Sequence, residues 1–268
     1  MKIIASAQQK GGVGKTTTLV NLAYYLNELN TSSKRSKKIL LLDLDPQENL
    51  TNSVSSNKDD SLVDASLLFN SEFDIEKTPP LETDLEGVDI IRAGSLLYDI
   101  ESMDFSVISN PSKHLKKLSS IYDYILIDTP PSLGRLSLSA LCLADFVYSP
   151  IKMDDYSLSG LEDFIGTINS VKDKLNSELE FIGIVPNLID LKDKSQVKTL
   201  KEAQDAWGDV IFKNHIKHSS TIPTAIREKK AIWDKPKNGN TAKMARQVKD
   251  VAKEIISRCV LSEKAGDS

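Results

Sequence analysis

Leu40-Leu41-Leu42 and Tyr124-Ile125-Leu126-Ile127 are continuous apolar runs, and such runs leave a chain few ways to fold. A strand with one face in water alternates polar and apolar residues, whereas a strand covered on both faces does not. The predicted strands are Ile3–Ala7, Ile39–Leu42, Val88–Arg92, Tyr124–Ile127, Phe146–Ile151 and Phe181–Val185. After the first comes a helical stripe of Leu19, Leu22, Ala23, Leu26 and Leu29. Further helices are predicted near Pro111–Ser120, Leu136–Leu143, Leu158–Leu175, Ser195–Ala206 and Thr241–Val260. Strands alternating with helices make βαβ units, so the expected class is α/β: a doubly wound, mostly parallel sheet with helices on both faces.

Polar stretches at Asn30–Lys38, Asn52–Ser61 and Glu76–Glu86 read as connections within one domain. That domain is expected over residues 1–261, with a polar tail at 262–268. A chain of 268 residues buries enough apolar surface to need no disulfides, and its two cysteines, Cys142 and Cys259, have no metal-ligand spacing. The short apolar start lacks the core of a signal peptide, and no apolar run is long enough to span a bilayer. A cytoplasmic protein without stable membrane insertion is the expectation.

The segment Lys10-Gly11-Gly12-Val13-Gly14-Lys15-Thr16-Thr17 joins the first strand to the first helix. Glycines let the backbone curl so that successive N–H groups point inward, and the helix N-terminus adds positive potential. Phosphates are held this way. Lys15 is expected against the β- and γ-phosphates, Thr16 on Mg²⁺, and Thr17 on the α-phosphate. The ordinary loop pattern has glycine where Gln9 stands, and a second lysine, Lys10, follows it. From the residues alone Lys10 is a surface lysine.

Two apolar strands end in carboxylates, at Leu42-Asp43-Leu44-Asp45-Pro46-Gln47 and at Ile127-Asp128-Thr129-Pro130-Pro131. In open α/β sheets ligands bind at the carboxyl ends of strands, beside the phosphate loop. Asp128 fits a magnesium-holding role, and the prolines behind it stop the strand and set a loop near the γ-phosphate. Asp43 and Asp45 are equally at home as turn formers or helix caps. Pro186-Asn187 ends another strand; Asn187 is either a reader of the adenine edge or a turn residue.

These motifs resemble the deviant Walker A loop, the DxDPQGN segment (with Glu48 in place of glycine) and the switch region of the ParA/MinD ATPase superfamily, most of all its ParA/Soj partition branch. The resemblance runs from Lys2 to about Ile255. It implies an ATPase with ATP and Mg²⁺ as cofactors and an ATP-dependent sandwich homodimer in which Lys10 reaches the partner's nucleotide. It also implies that Lys10, Lys15 and Asp45 serve catalysis, Asp45 by positioning the attacking water. Thr16, Asp43 and Asp128 serve the metal, Asp43 by supporting its shell. Ser132-Leu133-Gly134 belongs to the switch, and Tyr156–Leu161 lies near the dimer interface. The implied partner is a ParB-like centromere-binding or adaptor protein that accelerates slow hydrolysis. With the first strand starting at Lys2, the extra N-terminal DNA-binding domain of longer partition ATPases is not expected.

Net charge is −4, yet residues 186–268 carry 17 Lys/Arg against 11 Asp/Glu, and residues 1–185 carry 17 against 27. From Val210 to Val260 the count is 12 against 4. Such a basic third suits non-specific DNA, with Lys217, Arg227, Lys229, Lys230, Lys243 and Arg246 as candidate contacts, and predicts nucleoid association in the ATP-bound state. Where the family carries arginines, His218 and Thr221 stand. The alternative is a MinD-like membrane regulator, because the closing helix sets Val248, Val251, Ile255 and Cys259 on one face and Lys243, Arg246, Lys249 and Lys253 on another. A helix covering a sheet shows the same pattern. Metabolic relatives with iron–sulfur chemistry are excluded by two isolated cysteines, and a ligase would need a substrate pocket that no motif indicates.

Overall fold

A computed structural model describes residues 1–32, 38–56, 63–153, 160–234, 236 and 238–266. Seven strands form one sheet: β1 (Lys2–Ser6), β2 (Ile39–Asp43), β3 (Leu81–Glu82), β4 (Val88–Ile91), β5 (Tyr124–Asp128), β6 (Phe146–Ile151) and β7 (Glu180–Pro186). Their order is β3-β4-β2-β5-β1-β6-β7, parallel throughout except for β3 against β4. The six expected strands are present. β3 lies in the Glu76–Glu86 stretch read as a connection; it is a two-residue edge strand following Pro79-Pro80, where proline is tolerated.

Alternate side chains of each strand enter different layers. Ile39 and Leu41 of β2 join Leu19, Leu22 and Leu26 of α1 (Lys15–Ser32) on one face. Leu40 and Leu42 point to the other, where they meet a layer that includes α5 residues. That is the period-2 geometry of a strand covered on both sides, and it is why these runs are continuously apolar.

The remaining helices are α2 (Asn49–Val54), α3 (Leu97–Ile100), α4 (Asn110–Lys117), α5 (Arg135–Leu143), α6 (Leu161–Lys174), α7 (Lys194–Trp207), α8 (Thr221–Arg227) and α9 (Gly239–Gly266). Three helices, α2, α3 and α8, correct the sequence reading. α2 occupies the start of the stretch read as a loop from Asn52, and α3 and α8 stand where no helix was expected. α9 continues to Gly266, so the expected tail at 262–268 begins as helix; Lys2 pairs with Glu263 at 2.7 Å. The expected start of the Leu158–Leu175 helix and most of Tyr156–Leu161 lie outside the described residues, as do Lys235 and Lys237.

α9 bears on the membrane alternative. Val248, Val251, Ala252, Ile255 and Cys259 are buried in the layer shared with α1. Its apolar face is therefore spent inside the protein. No helix among the described residues is long and apolar enough to cross a membrane.

Candidate nucleotide site

β1 lies inside the sheet, with β5, β2, β4 and β3 to one side and β6 and β7 to the other. The chain reverses its direction of winding here, and the segment leaving β1 is the glycine loop. Gly12 and Gly14 have φ of +68° and +95°, in the left-handed region that favours glycine. Gly14 is also crowded: a Cβ there would lie 2.1 Å from Asn187 Nδ2. That amide donates to the Val13 carbonyl at 2.7 Å, tying the end of β7 to the loop. At the start of α1, Thr18 Oγ1 donates to the carbonyl of Lys15 at 2.9 Å or of Gly14 at 3.0 Å, and lies 3.1 Å from Tyr148 Oη. Asn21 Nδ2 donates to the Thr17 carbonyl at 2.8 Å.

Asp43 and Asp128 are register partners on β2 and β5, both fully buried. Asp45 follows two residues on, 6% exposed, and Lys15 is 7% exposed. Thr16 Oγ1 donates to Asp128 Oδ2 at 2.5 Å, while Asp128 Oδ1 is buried with no hydrogen-bond partner among the described residues. Asp43 is held hard: its Oδ2 accepts from Thr51 N (2.8 Å) and Thr51 Oγ1 (2.7 Å), and its Oδ1 from Asp45 N (3.1 Å). Asp45 Oδ1 accepts from Gln47 N at 3.0 Å.

The electrostatics follow from crowding three carboxylates together, two of them, Asp128 and Asp45, beside one lysine. Burial, then the charge of Asp43, pushes the Asp128 carboxyl well above the usual carboxylate range. Burial raises Asp43 to about 7 against the bonds from Thr51, and it raises Asp45 against Gln47 and Lys15. Burial lowers Lys15, although Asp128 and Asp45 pull the other way. A site with this excess of buried negative charge calls for a further cation. The hydroxyl of Thr16 and the unpartnered oxygen of Asp128 are hard oxygen donors of the kind that magnesium takes. The residues present fit that ion.

The comparisons with known proteins agree with this chemistry. A family model described as an AAA domain (AAA_31) matches residues 1–181. The sporulation initiation inhibitor protein Soj of Bacillus subtilis is 32% identical, over 96% of this chain and 98% of its own. The chain belongs to the ParA/Soj family of partition ATPases. As a member of that family it is an ATPase. Among solved structures, cobyrinic acid a,c-diamide synthase from Mycobacterium smegmatis with bound ADP and magnesium has a TM-score of 0.77 at 26% identity, covering 94% of this chain and 93% of that one. An ATP complex of Cyanothece McdA has a TM-score of 0.81 at 20% identity, covering 96% of each chain, and shows the shared fold. The synthase and McdA thus share the architecture, and similarity to Soj along nearly the whole chain assigns this chain to the partition branch.

Placed in the structure, Lys10 and Gly11–Thr17 form the cradle, with Lys10 exposed at its mouth. Pro186 and Asn187, considered for the adenine, stand where β7 meets the loop. Asn187 is 1% exposed with its amide nitrogen committed to Val13, and the Pro186 carbonyl accepts from Ile216 N at 3.0 Å. The Asn187 bond braces the loop. Thr51, Asp43's main partner, was missed: it comes from a helix that the sequence did not announce.

The basic third divides on inspection. Arg227, Lys230, Lys243 and Arg246 are exposed, and Lys217 is half-buried. Lys229 is tied down, pairing with Asp84 and donating to Ser56 Oγ at 2.6 Å. Lys249 pairs with Glu28 at 2.7 Å and lies 5.1 Å above the Trp233 ring. Arg258 pairs with Glu254, stacks 4.0 Å over Phe212 and donates to the carbonyls of Ile182 and Ile211. These three charges hold the fold together. The cationic surface is therefore narrower than the count from Val210 to Val260 implies.

Proposed function

We propose that this ATPase is a DNA-binding switch. Mg-ATP drives its dimerisation and its binding to DNA without sequence preference, and slow hydrolysis to ADP and phosphate, accelerated by a partner, resets it for partition or cargo positioning. The observation that carries this reading is the glycine cradle facing three buried carboxylates and one buried lysine at a single end of the sheet. Lys15 and the loop N–H groups hold the β- and γ-phosphates. Thr16 and Asp128 would hold magnesium, which would supply neutralisation of the phosphate charge. Asp43 supports that shell from behind, fixing Thr51 and the Asp45 amide. Asp45 orients the attacking water and draws its proton.

Lys10, exposed beside the cradle, is assigned to the nucleotide of a second copy across a sandwich homodimer. Such an interface buries two triphosphates, and added cations offset their charge. Dimerisation also doubles the surface carrying Arg227, Lys230, Lys243 and Arg246, so counterion release from DNA grows with it. The stimulating partner is assigned as a ParB-like centromere-binding or adaptor protein, and the ATP-bound form as nucleoid-associated. The relatives' printed names, with chromosome partitioning in Caulobacter and a plasmid partition protein of Borrelia bound to AMPPNP, support this reading. The membrane alternative loses support because the apolar face of α9 is buried.

Co-sedimentation with random-sequence duplex and with anionic liposomes, each with ATP or ADP, tests the proposal. Pelleting with duplex in ATP alone is the expected outcome. Pelleting with liposomes, or with duplex equally in both nucleotides, defeats it.

A further inference from the structure

α3 is one helical turn, Leu97–Ile100, and its position is fixed because Leu97 and Ile100 are buried in the layer beneath it. Its outer residues reach both acidic loops. Tyr98 Oη accepts a hydrogen bond from Gln47 Nε2 at 2.9 Å, and the backbone N–H of Gln47 donates to Asp45 Oδ1. Just past the turn, Glu101 accepts from the backbone N–H groups of Arg135 (2.7 Å) and Leu136 (3.3 Å), the first residues of α5. The Arg135 guanidinium returns a bond to the Glu101 carbonyl. No residue at the start of α5 caps it, since Gly134 stands there, so Glu101 supplies the missing acceptors and a charge of the right sign for a helix N-terminus. The approach requires that glycine: a Cβ on Gly134 would lie 2.2 and 2.4 Å from the Glu101 carboxylate oxygens.

We infer that Tyr98 and Glu101 are positioning residues for ATP hydrolysis, strapping the Asp45 loop and the loop behind Asp128 to one rigid turn. The inference rests on Asp45 acting on the attacking water. Neither residue touches the reacting atoms. Tyr98 is 56% exposed, so its bond adds little to global stability. It restricts the turn that carries Asp45, and small displacements of a reacting group cost rate steeply. Glu101 does the same for the segment between Asp128 and α5, whose far end has no other side-chain cap.

The test is steady-state kcat and KM for ATP, with thermal midpoints, on the full chain and its variants. Tyr98→Phe is expected to lower kcat about threefold, and Glu101→Ala about tenfold, with KM and the midpoint of Tyr98→Phe unchanged. Gly134→Ala, which displaces the carboxylate without removing it, is expected to match Glu101→Ala, and the double variant to fall no further than either. Glu101→Gln, which keeps one acceptor oxygen, is expected to recover most of the rate. Wild-type kcat in Tyr98→Phe and Glu101→Ala overturns the inference. So does a loss that tracks a falling midpoint and a rising KM, or Glu101 and Gly134 effects that multiply. Asp45→Ala separates the two levels. Normal turnover there removes Asp45 from its role, whereas a dead Asp45→Ala beside unaffected strap variants removes only the strap.

Discussion

The carboxyl end of the sheet and the basic surface around α8 and α9 are made in opposite ways. At the sheet end, Lys15, Asp43, Asp45 and Asp128 are nearly or fully buried, and the oxygens of Asp43 are all engaged. On the basic surface, Arg227, Lys230, Lys243 and Arg246 stand in solvent. Buried charge is expensive unless matched, so each group at the sheet end has one place and one task. Exposed charge is cheap and interchangeable, and acts by sum. The contrast suits a switch: a rigid site reads the nucleotide, and a diffuse field holds a polymer whose sequence does not matter.

The contrast can be broken first at Lys15. It is the one buried lysine or arginine among the described residues, set beside Asp128 and Asp45 in the cradle, so Lys15→Ala is expected to weaken ATP binding by about 100-fold or more. Titration calorimetry reads this; a retained affinity would mean that the cradle is not the site. Asp45→Ala is expected to cut turnover by on the order of 100-fold while leaving ATP-dependent dimerisation intact by analytical ultracentrifugation. A variant that neither hydrolyses nor dimerises would make Asp45 structural. On the other surface single residues matter less. Lys230→Glu with Arg246→Glu is expected to weaken duplex binding and to reduce the slope of log affinity against log salt by about 1 for each lost phosphate contact, with ATP turnover in the absence of DNA unchanged. An unaltered slope would place the DNA elsewhere.

The smallest effect concerns pH. The folded-state carboxyl of Asp43 lies at about 7, above its unfolded value of about 4. Its contribution to stability is then complete below pH ~4 and is lost as pH rises towards 7, at most on the order of 1 kcal/mol per pH unit. The nucleotide-free protein should therefore have a lower urea midpoint at pH 8 than at pH 5.5, and Asp43→Asn should reduce the difference, the raised carboxyls of Asp128 and Asp45 supplying the remainder. A midpoint that climbs with pH contradicts the assignment.

What could be read in advance follows the same division. Leu40-Leu41-Leu42 could only be a covered strand, and glycine, lysine and threonine in that order after a strand could only cradle an anion. α2 escaped notice because Asn49-Leu50-Thr51-Asn52-Ser53-Val54 has poor helix propensity; Thr51 on Asp43 and Asp84 N on the Val54 carbonyl hold it instead. α8 carries Pro223 near its start, where proline is tolerated but reads as a break. Asn187 reads equally as an adenine contact or a turn residue; only its packing against Gly14 and its bond to Val13 reveal the tie to the loop. Glu101 and Tyr98 lie far along the chain from the loops they hold, and no spacing rule joins them. The basic count overestimated the DNA surface, since Lys249 and Arg258 spend their charge on Glu28 and Glu254.

The coupling of the two regions is the centre of the account, and one measurement reaches it: binding of a random duplex by Asp45→Ala with Mg-ATP, set beside the wild type with Mg-ADP and Lys15→Ala with Mg-ATP. The account expects tight, salt-sensitive binding from the first and little from the other two. Equal binding by all three would show that the buried site does not govern the basic surface.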